Sequence, residues 1–235
     1  MNSTAYEQRR SQIEHYFDRT AADAWARLTS NEPLGRIRAT VRAGRDQMRQ
    51  TLLSWLPGDL TGLRVLDAGC GTGALALQAA LRGAEVLAID LSPTLVQLAA
   101  ERLAAEHPQL PGSVTFASGD MLSPELGEFD HVVCMDSLIH YDTPHIAQAL
   151  AALAERTRGS MLFTYAPRTP LLALMHGVGQ LFPRGNRSPS LSPVDGRALH
   201  AALQAQAPLS GWQAARTERI AQGFYTSQAW EWRRA

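Results

Sequence analysis

The sequence predicts an α/β fold: a doubly wound, seven-stranded sheet that is mostly parallel and ends in an antiparallel hairpin. From residue 64 onward, short apolar runs alternate with helical patterns, which favours parallel strands covered by helices on both faces. Two strand-like runs, 212–219 and 223–233, have no helical pattern between them and therefore favour a hairpin over a crossover. A helical arm before the sheet and a lid segment after the fifth strand complete the predicted architecture.

Residues 1–58 form the predicted helical arm. Apolar residues recur at helical spacing over 5–29 and again over 36–56, and turn-forming residues follow each run. Residues 59–235 form the predicted sheet domain. Within this domain, 167–194 is predicted to be an inserted lid, because the segment is unusually long for a simple connection.

Five apolar runs are predicted to form the parallel strands. They are residues 64–67, 86–90, 114–117, 129–135 and 160–165. Ser92-Pro93 is predicted to cap and start one helix, and Thr143-Pro144 is predicted to open another, since proline suits the first turn of a helix. These starts follow the second and fourth strands, in agreement with the alternation of strands and helices.

The stretch from Val65 to Gly73 carries the strongest functional signal. An apolar run breaks into three alternate glycines, at 69, 71 and 73, and a helix-forming sequence follows. Glycine lacks a Cβ, so main-chain amides in such a turn can approach a ligand closely. The pattern Gly69-x-Gly71-x-x-Ala74, followed by Asp90, also satisfies the dinucleotide fingerprint. Spacing alone therefore leaves open whether the ligand is a dinucleotide or another nucleotide cofactor.

Acidic residues around the glycine loop favour one of these ligands. Asp67 precedes the first glycine, and Asp120 follows the third strand. Together with Asp90 they make the chain similar to class I S-adenosylmethionine-dependent methyltransferases, which have a Rossmann-like sheet closed by an antiparallel hairpin. This resemblance implies that Asp90 holds the ribose hydroxyls and that Asp120 lies beside the adenine. S-adenosylmethionine carries an ammonium and a sulfonium instead of a pyrophosphate, so nearby carboxylates are electrostatically favourable.

Composition disfavours several classes of protein. The chain has 235 residues, of which 45% are hydrophobic and 19% charged, and its formal net charge is zero. This fits one globular domain with an elaboration and disfavours a general nucleic-acid binder. Cys70 and Cys134 have no metal or redox spacing, and we expect no protein-held metal. The polar amino terminus has no signal-peptide pattern, so we expect a cytoplasmic protein.

The loops after strands four and five are expected to face the acceptor, since ligands of doubly wound sheets bind beyond the carboxyl ends of the strands. Between Glu155 and Asp195 the chain has no carboxylate but five arginines, and all 22 of its Lys and Arg residues are arginine. This segment is therefore predicted to lie in a positive potential. Its apolar stretch, 171–182, is about half as long as a membrane span and could touch a bilayer surface without crossing it.

Several segments are similar to the magnesium-protoporphyrin IX O-methyltransferase family of bacteriochlorophyll biosynthesis. They are Tyr16-Phe-Asp-Arg-Thr, Asp67-Ala-Gly-Cys-Gly-Thr-Gly, Met135-Asp-Ser-Leu-Ile-His-Tyr, Phe163-Thr-Tyr-Ala-Pro-Arg-Thr, Leu181-Phe-Pro-Arg and Gly223-Phe-Tyr. The resemblance implies methyl transfer from S-adenosylmethionine to a propionate of magnesium protoporphyrin IX, which leaves S-adenosylhomocysteine. An ionised propionate needs no general base. The magnesium belongs to the acceptor, so the protein needs no metal site of its own.

The resemblance also assigns site residues. The predicted cofactor-binding residues are Tyr16, Asp67, Gly69, Cys70, Gly71, Asp90, Leu91, Gly119, Asp120, Met121 and Met135. The predicted acceptor-binding residues are Tyr141, Arg168, Met175, Phe182, Arg184 and Arg187. His140 is the predicted catalytic residue, which would orient the carboxylate because it follows strand four. The alternative is that His140 caps the next helix or bonds to the backbone.

Structural roles remain alternatives for other predicted residues. Tyr16 could serve helix packing, the arginines could be solvated loop charges, and the apolar lid could be an amphipathic helix that seals the sheet edge. Relatives from oxygenic phototrophs carry a tyrosine shortly after the arm tryptophan, where this chain has Thr29 or Ser30. No role of that tyrosine can therefore be transferred to this chain.

Two other functions stay open on the sequence alone. One is a class I methyltransferase that acts on another small carboxylate, a phenol or a quinone precursor. The other is a noncatalytic subunit that binds S-adenosylmethionine or a porphyrin. The family resemblance further implies transient contact with the porphyrin-binding subunit of magnesium chelatase and peripheral contact with photosynthetic membranes.

Overall fold

Seven strands form one sheet in this protein, for which a computed structural model describes residues 4–20, 29, 35–168 and 191–235. The strands are β1 (Arg64–Ala68), β2 (Glu85–Asp90), β3 (Ser113–Ser118), β4 (Phe129–Cys134), β5 (Thr157–Tyr165), β6 (Trp212–Gln222) and β7 (Tyr225–Arg234). Their order across the sheet is β3-β2-β1-β4-β5-β7-β6. The first five strands are parallel, and β7 pairs antiparallel with both β5 and β6. The predicted fold class is thus confirmed.

The helices of the described residues alternate with the strands and precede them as an arm. They are α1 (Thr4–His15), α2 (Arg36–Trp55), α3 (Ala74–Ala80), α4 (Pro93–Glu106), α5 (Thr143–Ala154) and α6 (Gly196–Gln204). A π-helical turn, Tyr16–Thr20, directly continues α1. Short 3₁₀ turns lie at Pro124–Leu126 and Ala207–Leu209. None of these helices combines the length and the hydropathy that a membrane crossing requires.

Helix starts follow the predicted capping chemistry. Ser92 accepts a hydrogen bond from the backbone N–H of Leu95, and Pro93 occupies the first turn of α4. Helix α5 begins at Thr143, as predicted, and Asp142 caps it, since its carboxylate accepts from the N–H of His145. A side-chain acceptor satisfies one of the amides that a helix start leaves unpaired.

Two apolar clusters fill the two faces of the sheet. On one face, α5 and α6 pack against Phe163, Trp230 and Trp232, and Ile13 of α1 joins this cluster. On the other face, Met48 of α2 and residues of α3 pack against the sheet. Successive side chains of β7 point to opposite faces of the sheet, so this one strand contributes side chains to both clusters.

The structure differs from the predicted elements in three places. The α-helical part of the first helix ends at His15 and not at residue 29, although 21–28 lie outside the described residues. Strand β5 begins at Thr157, three residues before the predicted start, because the polar residues there pair with β4 at the sheet's amino end. Helix α6 is absent from the sequence prediction, although Asp195 caps it by accepting from two backbone amides.

The predicted lid, 167–194, is described only at its two ends. Pro167 pairs with Val194 as a parallel bridge, and the N–H of Arg168 donates to the carbonyl of Val194 at 2.9 Å. The segment therefore leaves and re-enters the fold at one point beside the end of β5. Residues 169–190, with the predicted apolar stretch, lie outside the described residues.

Candidate functional site

A cavity of about 260 Å³ opens at the carboxyl ends of the strands, where the strand order reverses between β1 and β4. Such a reversal separates the loops that follow neighbouring strands and leaves a crevice. The walls come from the glycine loop, the loops after β2, β3 and β4, the arm and α2. The lining residues are Ile13, Phe17, Thr29, Arg42, Arg45, Asp46, Arg49, Asp67, Gly69, Cys70, Gly71, Thr72, Ala74, Leu75, Ile89, Asp90, Leu91, Leu95, Gly119, Asp120, Met121, Met135, Asp136, Ser137, His140 and Tyr141.

Most of the predicted cofactor-binding residues lie on this wall. They are Asp67, Gly69, Cys70, Gly71, Asp90, Leu91, Gly119, Asp120, Met121 and Met135. They come together because they follow three adjacent strands or, for Met135, the fourth strand directly across the reversal. A ligand in the cavity would therefore contact all of these loops at once. Their predicted roles toward a cofactor remain predictions.

The glycine loop packs tightly against the loop after β4. Gly69 has a φ of 83°, and its N–H donates to the carbonyl of Ile89 at 2.8 Å. A Cβ at Gly69 would lie 2.4 Å from the Cβ of Ser137. Both the backbone angle and the lack of space therefore require glycine here.

Asp67 is a buried carboxyl at the base of the cavity. One of its oxygens accepts a hydrogen bond from the N–H of Ala76 at 3.1 Å. Burial raises the pKa of Asp67 to about 7, and the nearby Asp90 carboxyl also raises it. A cation bound close to Asp67 would favour its ionised form, so the site has the electrostatics that suit a positively charged ligand.

Asp90 joins the glycine loop to the start of α4. One carboxylate oxygen accepts from the N–H of Gly71 at 2.8 Å, and the other accepts from the N–H of Ser92 at 2.9 Å. These amides fix the carboxylate at the cavity wall. Burial raises the pKa of Asp90, although the backbone hydrogen bonds oppose this effect.

Asp120 connects the loop after β3 to the arm. Its carboxylate accepts from the N–H of Leu122 at 2.9 Å and forms an ion pair with Arg10 of α1, also at 2.9 Å. The predicted adenine-side acid is therefore also an anchor for the arm. The sequence gives no signal for this pair, because 110 residues separate its members.

The arm covers the cavity through Ile13 and Phe17. The Phe17 ring is tilted against the ring of His140, with centroids 5.8 Å apart. Tyr16 packs edge-to-face on Phe17 at 5.2 Å, so it contributes to the same cover through its neighbour. Asp18 accepts hydrogen bonds from the Ser92 hydroxyl and from the N–H of Thr94, which fixes the π turn to the start of α4.

His140 and Tyr141 are buried on the cavity wall, as expected for residues that follow β4. The suggestion that His140 caps the next helix is wrong, because Asp142 is the cap of α5. His145 pairs with Asp142 at 2.5 Å and is not part of the wall that the described residues form. Of the described histidines, His140 is the one that lines the cavity, and its role toward an acceptor remains a prediction.

Helix α2 supplies a basic wall that the sequence analysis missed. Arg42, Arg45 and Arg49 line the cavity, together with Asp46. Their spacing of three and four residues places them on one helix face. Arg49 pairs with Asp46 at 2.8 Å, and Arg45 pairs with Asp136 at 2.8 Å. The spacing of these arginines can be read from the sequence. Which face of α2 points to the cavity cannot, because packing against distant parts of the chain decides it.

The predicted acceptor arginines are not shown at the cavity. Arg168 is exposed beyond β5 and is not on the wall that the described residues form. Met175, Phe182, Arg184 and Arg187 lie outside the described residues. Within residues 4–20, 29, 35–168 and 191–235, no group of three His, Cys, Asp or Glu side chains could hold a metal ion.

Comparisons with known proteins identify the family. Residues 134–234 match the family described as magnesium-protoporphyrin IX methyltransferase C-terminus, and residues 65–159 match a methyltransferase domain. The chain is 48% identical over 231 residues to magnesium-protoporphyrin O-methyltransferase of Rhodobacter capsulatus. The alignment covers 97% of this chain and 98% of that protein. It is 31% identical to the Synechocystis enzyme of the same name, over 93% of this chain and 94% of that protein.

A solved structure has the same fold over nearly the whole chain. The crystal structure of magnesium protoporphyrin IX methyltransferase from Synechocystis PCC 6803 with bound S-adenosylhomocysteine superposes with a TM-score of 0.83 at 28% identity, covering 96% of this chain and 99% of that chain. The resemblance that the sequence motifs indicated is confirmed. The chain belongs to the magnesium-protoporphyrin O-methyltransferase family, whose members carry the class I methyltransferase fold.

Proposed function

We propose that this protein transfers a methyl group from S-adenosylmethionine to one propionate carboxylate of magnesium protoporphyrin IX, which gives the monomethyl ester. The observation that carries the proposal is the match of residues 134–234 to the family's own carboxyl-terminal model. This part of the chain includes the loop after β4, which lines the cavity at Met135, Asp136, Ser137, His140 and Tyr141. The near-complete coverage of the Rhodobacter capsulatus relative supports the same assignment.

The described residues fit S-adenosylmethionine. Three carboxyls, Asp67, Asp90 and Asp120, lie along the part of the cavity formed after β1, β2 and β3. A cationic ligand is favoured there, whereas a pyrophosphate would be repelled. The tight turn at Gly69 lets the backbone approach a ligand without a Cβ in the way.

When bound, S-adenosylmethionine supplies a methyl group on a positively charged sulfur, which a carboxylate oxygen takes to form the ester while the sulfur retains the electron pair of the broken bond. The acceptor propionate is ionised near neutral pH, so no residue has to remove a proton. The task of the protein is to orient the oxygen and to exclude water from it. Positioning of this kind can supply roughly 7 to 11 kcal/mol of the barrier.

His140 is proposed to orient the acceptor carboxylate. It lies on the cavity wall after β4, beside Phe17 of the arm. Phe17, Ile13 and Tyr141 line the same cavity and are proposed to exclude water from this region. Hydrogen bonding to a carboxylate in such surroundings is stronger than in water.

Arginines are proposed to bind the carboxylates of the ligands. Arg42, Arg45 and Arg49 of α2 lie on the cavity wall, where Arg45 also pairs with Asp136 and Arg49 with Asp46. Arg168, Arg184 and Arg187 are proposed to reach the propionates from the lid, since this segment contains no acid between Glu155 and Asp195. Guanidinium groups bind carboxylates in a bidentate manner. Alanine variants of Arg168 and Arg184 are expected to lose porphyrin affinity far more than cofactor affinity.

The proposal is tested by incubating the protein with methyl-labelled S-adenosylmethionine and magnesium protoporphyrin IX. The expected product is a labelled monomethyl ester, separated by chromatography. Intact binding of both ligands without ester would contradict the proposal and would indicate a noncatalytic binding subunit. Methylation of a phenol, a quinone precursor or another small carboxylate, with no porphyrin binding, would indicate the other enzyme class.

A peripheral membrane contact is proposed at the amino-terminal end of α2. Ile37 and Phe224 are 59% and 54% exposed, and exposed Arg36 and Arg38 flank Ile37. The hairpin turn lies against this end of α2, because a Cβ at Gly223 would be 2.4 Å from the hydroxyl of Thr40. Apolar tips beside arginines suit an anionic lipid surface.

Vesicle co-sedimentation tests this contact. The Ile37→Ser, Phe224→Ser double variant is expected to lose binding to vesicles with anionic lipid. Leu81→Ser is the matched control, since Leu81 is exposed at the far end of α3. Equal binding of all proteins would contradict the contact.

A transient handover from the porphyrin-binding subunit of magnesium chelatase is also proposed. A faster approach to steady-state ester formation when that subunit delivers the porphyrin would support it.

A further inference from the structure

Asp136 has a backbone conformation that is rare for a residue with a side chain. It lies on the cavity wall, two residues beyond the end of β4, and its φ is 55°. Aspartate enters this region more readily than most residues, yet the conformation is still strained. Such a residue persists only where its surroundings hold it in place.

The surroundings of Asp136 do hold it. Its side chain is 4% exposed and accepts from Arg45 at 2.8 Å, from the Tyr225 hydroxyl at 3.0 and 3.2 Å and from the Ser227 hydroxyl at 3.4 Å. The Thr164 hydroxyl donates to the carboxylate at 3.2 Å and accepts from the N–H of Asp136 at 2.7 Å. One carboxylate thus joins the loop after β4 to α2, β5 and β7.

The surroundings of Tyr225 hold its ring in place and keep its hydroxyl a hydrogen-bond donor to Asp136. A Cβ at Gly44, inside α2, would lie 2.6 Å from the Tyr225 ring. A glycine inside a helix is destabilising relative to alanine, so the close approach of the ring accounts for Gly44. Burial raises the pKa of Tyr225, and the Asp136 carboxylate raises it further, so the phenol keeps its proton and remains a donor.

The loop that Asp136 begins forms the acceptor side of the cavity. Ser137 follows at once and lies against Gly69, as the 2.4 Å approach of a Cβ there shows. His140 and Tyr141 complete the loop on the cavity wall. A shift of Asp136 would therefore change the separation between the glycine loop and the residue proposed to orient the acceptor.

We propose that Asp136 and Tyr225 are positioning residues for methyl transfer: they hold the loop of residues 136–141 at the distance from the glycine loop that in-line attack requires. The inference rests on the proposed function, because it specifies how His140 is placed. Neither residue has to touch the acceptor. A misplacement of about 1 Å can reduce the rate roughly 100-fold, so the hairpin acts on the rate through the loop.

Tyr225→Phe tests the proposal with little disturbance, since it removes the hydroxyl and leaves the ring on Gly44. The turnover number with magnesium protoporphyrin IX is expected to fall about tenfold, while S-adenosylhomocysteine affinity changes less than about threefold. Asp136→Asn is expected to show a larger loss of turnover. Thr217→Val is the matched control, because it removes a 2.9 Å hydrogen bond to the Ala229 carbonyl within the same hairpin. Wild-type turnover in Tyr225→Phe, or an equal loss in Thr217→Val, would overturn the proposal.

Amide hydrogen exchange provides a readout that needs no acceptor. In Tyr225→Phe and Asp136→Asn, amides of residues 136–141 are expected to exchange faster than in the wild type, with α4 unchanged. Unchanged exchange in this loop would overturn the positioning role. An absence of ester from the wild-type protein, with faster exchange in both variants, would contradict the proposed function and support the role of Asp136 and Tyr225 in holding the loop.

Discussion

The Nε atom of Arg9 donates a hydrogen bond of 2.9 Å to the backbone carbonyl of His140, which lies 131 residues away in the sequence. The Ser192 hydroxyl donates to the same carbonyl at 3.3 Å, and Nη2 of Arg9 lies 3.5 Å from that hydroxyl. The arm, the loop after β4 and the described end of the lid segment therefore meet at one carbonyl oxygen. The arm is therefore in direct contact with the backbone of the proposed catalytic residue.

Replacing Arg9 by alanine is expected to reduce kcat/KM about tenfold, because a hydrogen bond from a charged donor contributes roughly 1.5 kcal/mol. Steady-state kinetics measures this change, and thermal unfolding should show only a small shift in Tm. Arg158→Ala is the control, since it removes an exposed ion pair with Glu128 at the other end of β5. Similar losses in both variants would show that the Arg9 contact has no specific role.

Asp67 is expected to make stability depend on pH. Its pKa is about 7 in the folded protein and 3.8 in an unfolded chain. Between these values the folded protein keeps a proton that the unfolded chain releases, so the free energy of unfolding falls as the pH rises from 3.8 to about 7. The fall is roughly 4 kcal/mol at most. Urea unfolding across this range should show a smaller fall for Asp67→Asn, whose amide oxygen can still accept from Ala76. Identical pH profiles for the two proteins would contradict the prediction.

The same carboxyl is expected to lose its proton when a cationic ligand binds. At a pH slightly below 7, S-adenosylmethionine should release protons from the wild-type protein as Asp67 ionises. Calorimetric titrations in buffers with different ionisation enthalpies measure the number released. Asp67→Asn should bind with less release, and equal release from both proteins would exclude Asp67 as the source.

Asp90→Ala is expected to weaken S-adenosylhomocysteine binding by about 100-fold or more, because it removes a buried acceptor that also fixes the glycine loop through Gly71. Equilibrium binding by calorimetry measures this loss. Asp59→Ala, at an exposed turn outside the cavity wall, is the control and should bind normally. Unchanged affinity in Asp90→Ala would refute its assignment to the ribose hydroxyls.

Gly69→Ala separates backbone strain from steric contact. Gly69 and Gly62 both have φ near 80°, but a Cβ at Gly62 would meet nothing within 4 Å, whereas one at Gly69 would meet Ser137 at 2.4 Å. Gly62→Ala should lower the free energy of unfolding by about 1 kcal/mol and leave activity intact. Gly69→Ala should cost more and abolish methyl transfer. If Gly62→Ala and Gly69→Ala had equal effects on the free energy of unfolding and on methyl transfer, the contact with Ser137 would be unimportant.

The sequence predicted the sheet and the acidic part of the site because both depend on short stretches of chain. Apolar runs mark β1 to β5, and Asp67, Gly69 and Asp90 lie at or just beyond the ends of β1 and β2, at the spacing of a known motif. Such signals need only the alternation of strands and helices. The strand ends shifted by a few residues, since pairing with neighbours decides where a strand stops.

The basic wall and the positioning cluster depend on contacts between distant parts of the chain. Arg45 and Asp136 are 91 residues apart, and Tyr225 is 89 residues beyond Asp136. The sequence shows that α2 has arginines on one face, but only the packing of α2 on the hairpin turns that face toward the cavity. The motif Gly223-Phe-Tyr225 is similar to the family's sequences, but nothing in it indicates that Tyr225 contacts Asp136.

The position of β7 in the sheet has a consequence for synthesis of the protein. This strand follows all the other strands in the chain, yet it lies between β5 and β6. A chain that leaves the ribosome from its amino end can pair β1 to β5 early, at about 5–20 residues per second. Tyr225 and Ser227, the partners of Asp136 on β7, emerge only afterwards. Nascent chains are therefore expected to acquire a methyl-donor pocket before they acquire a competent acceptor loop.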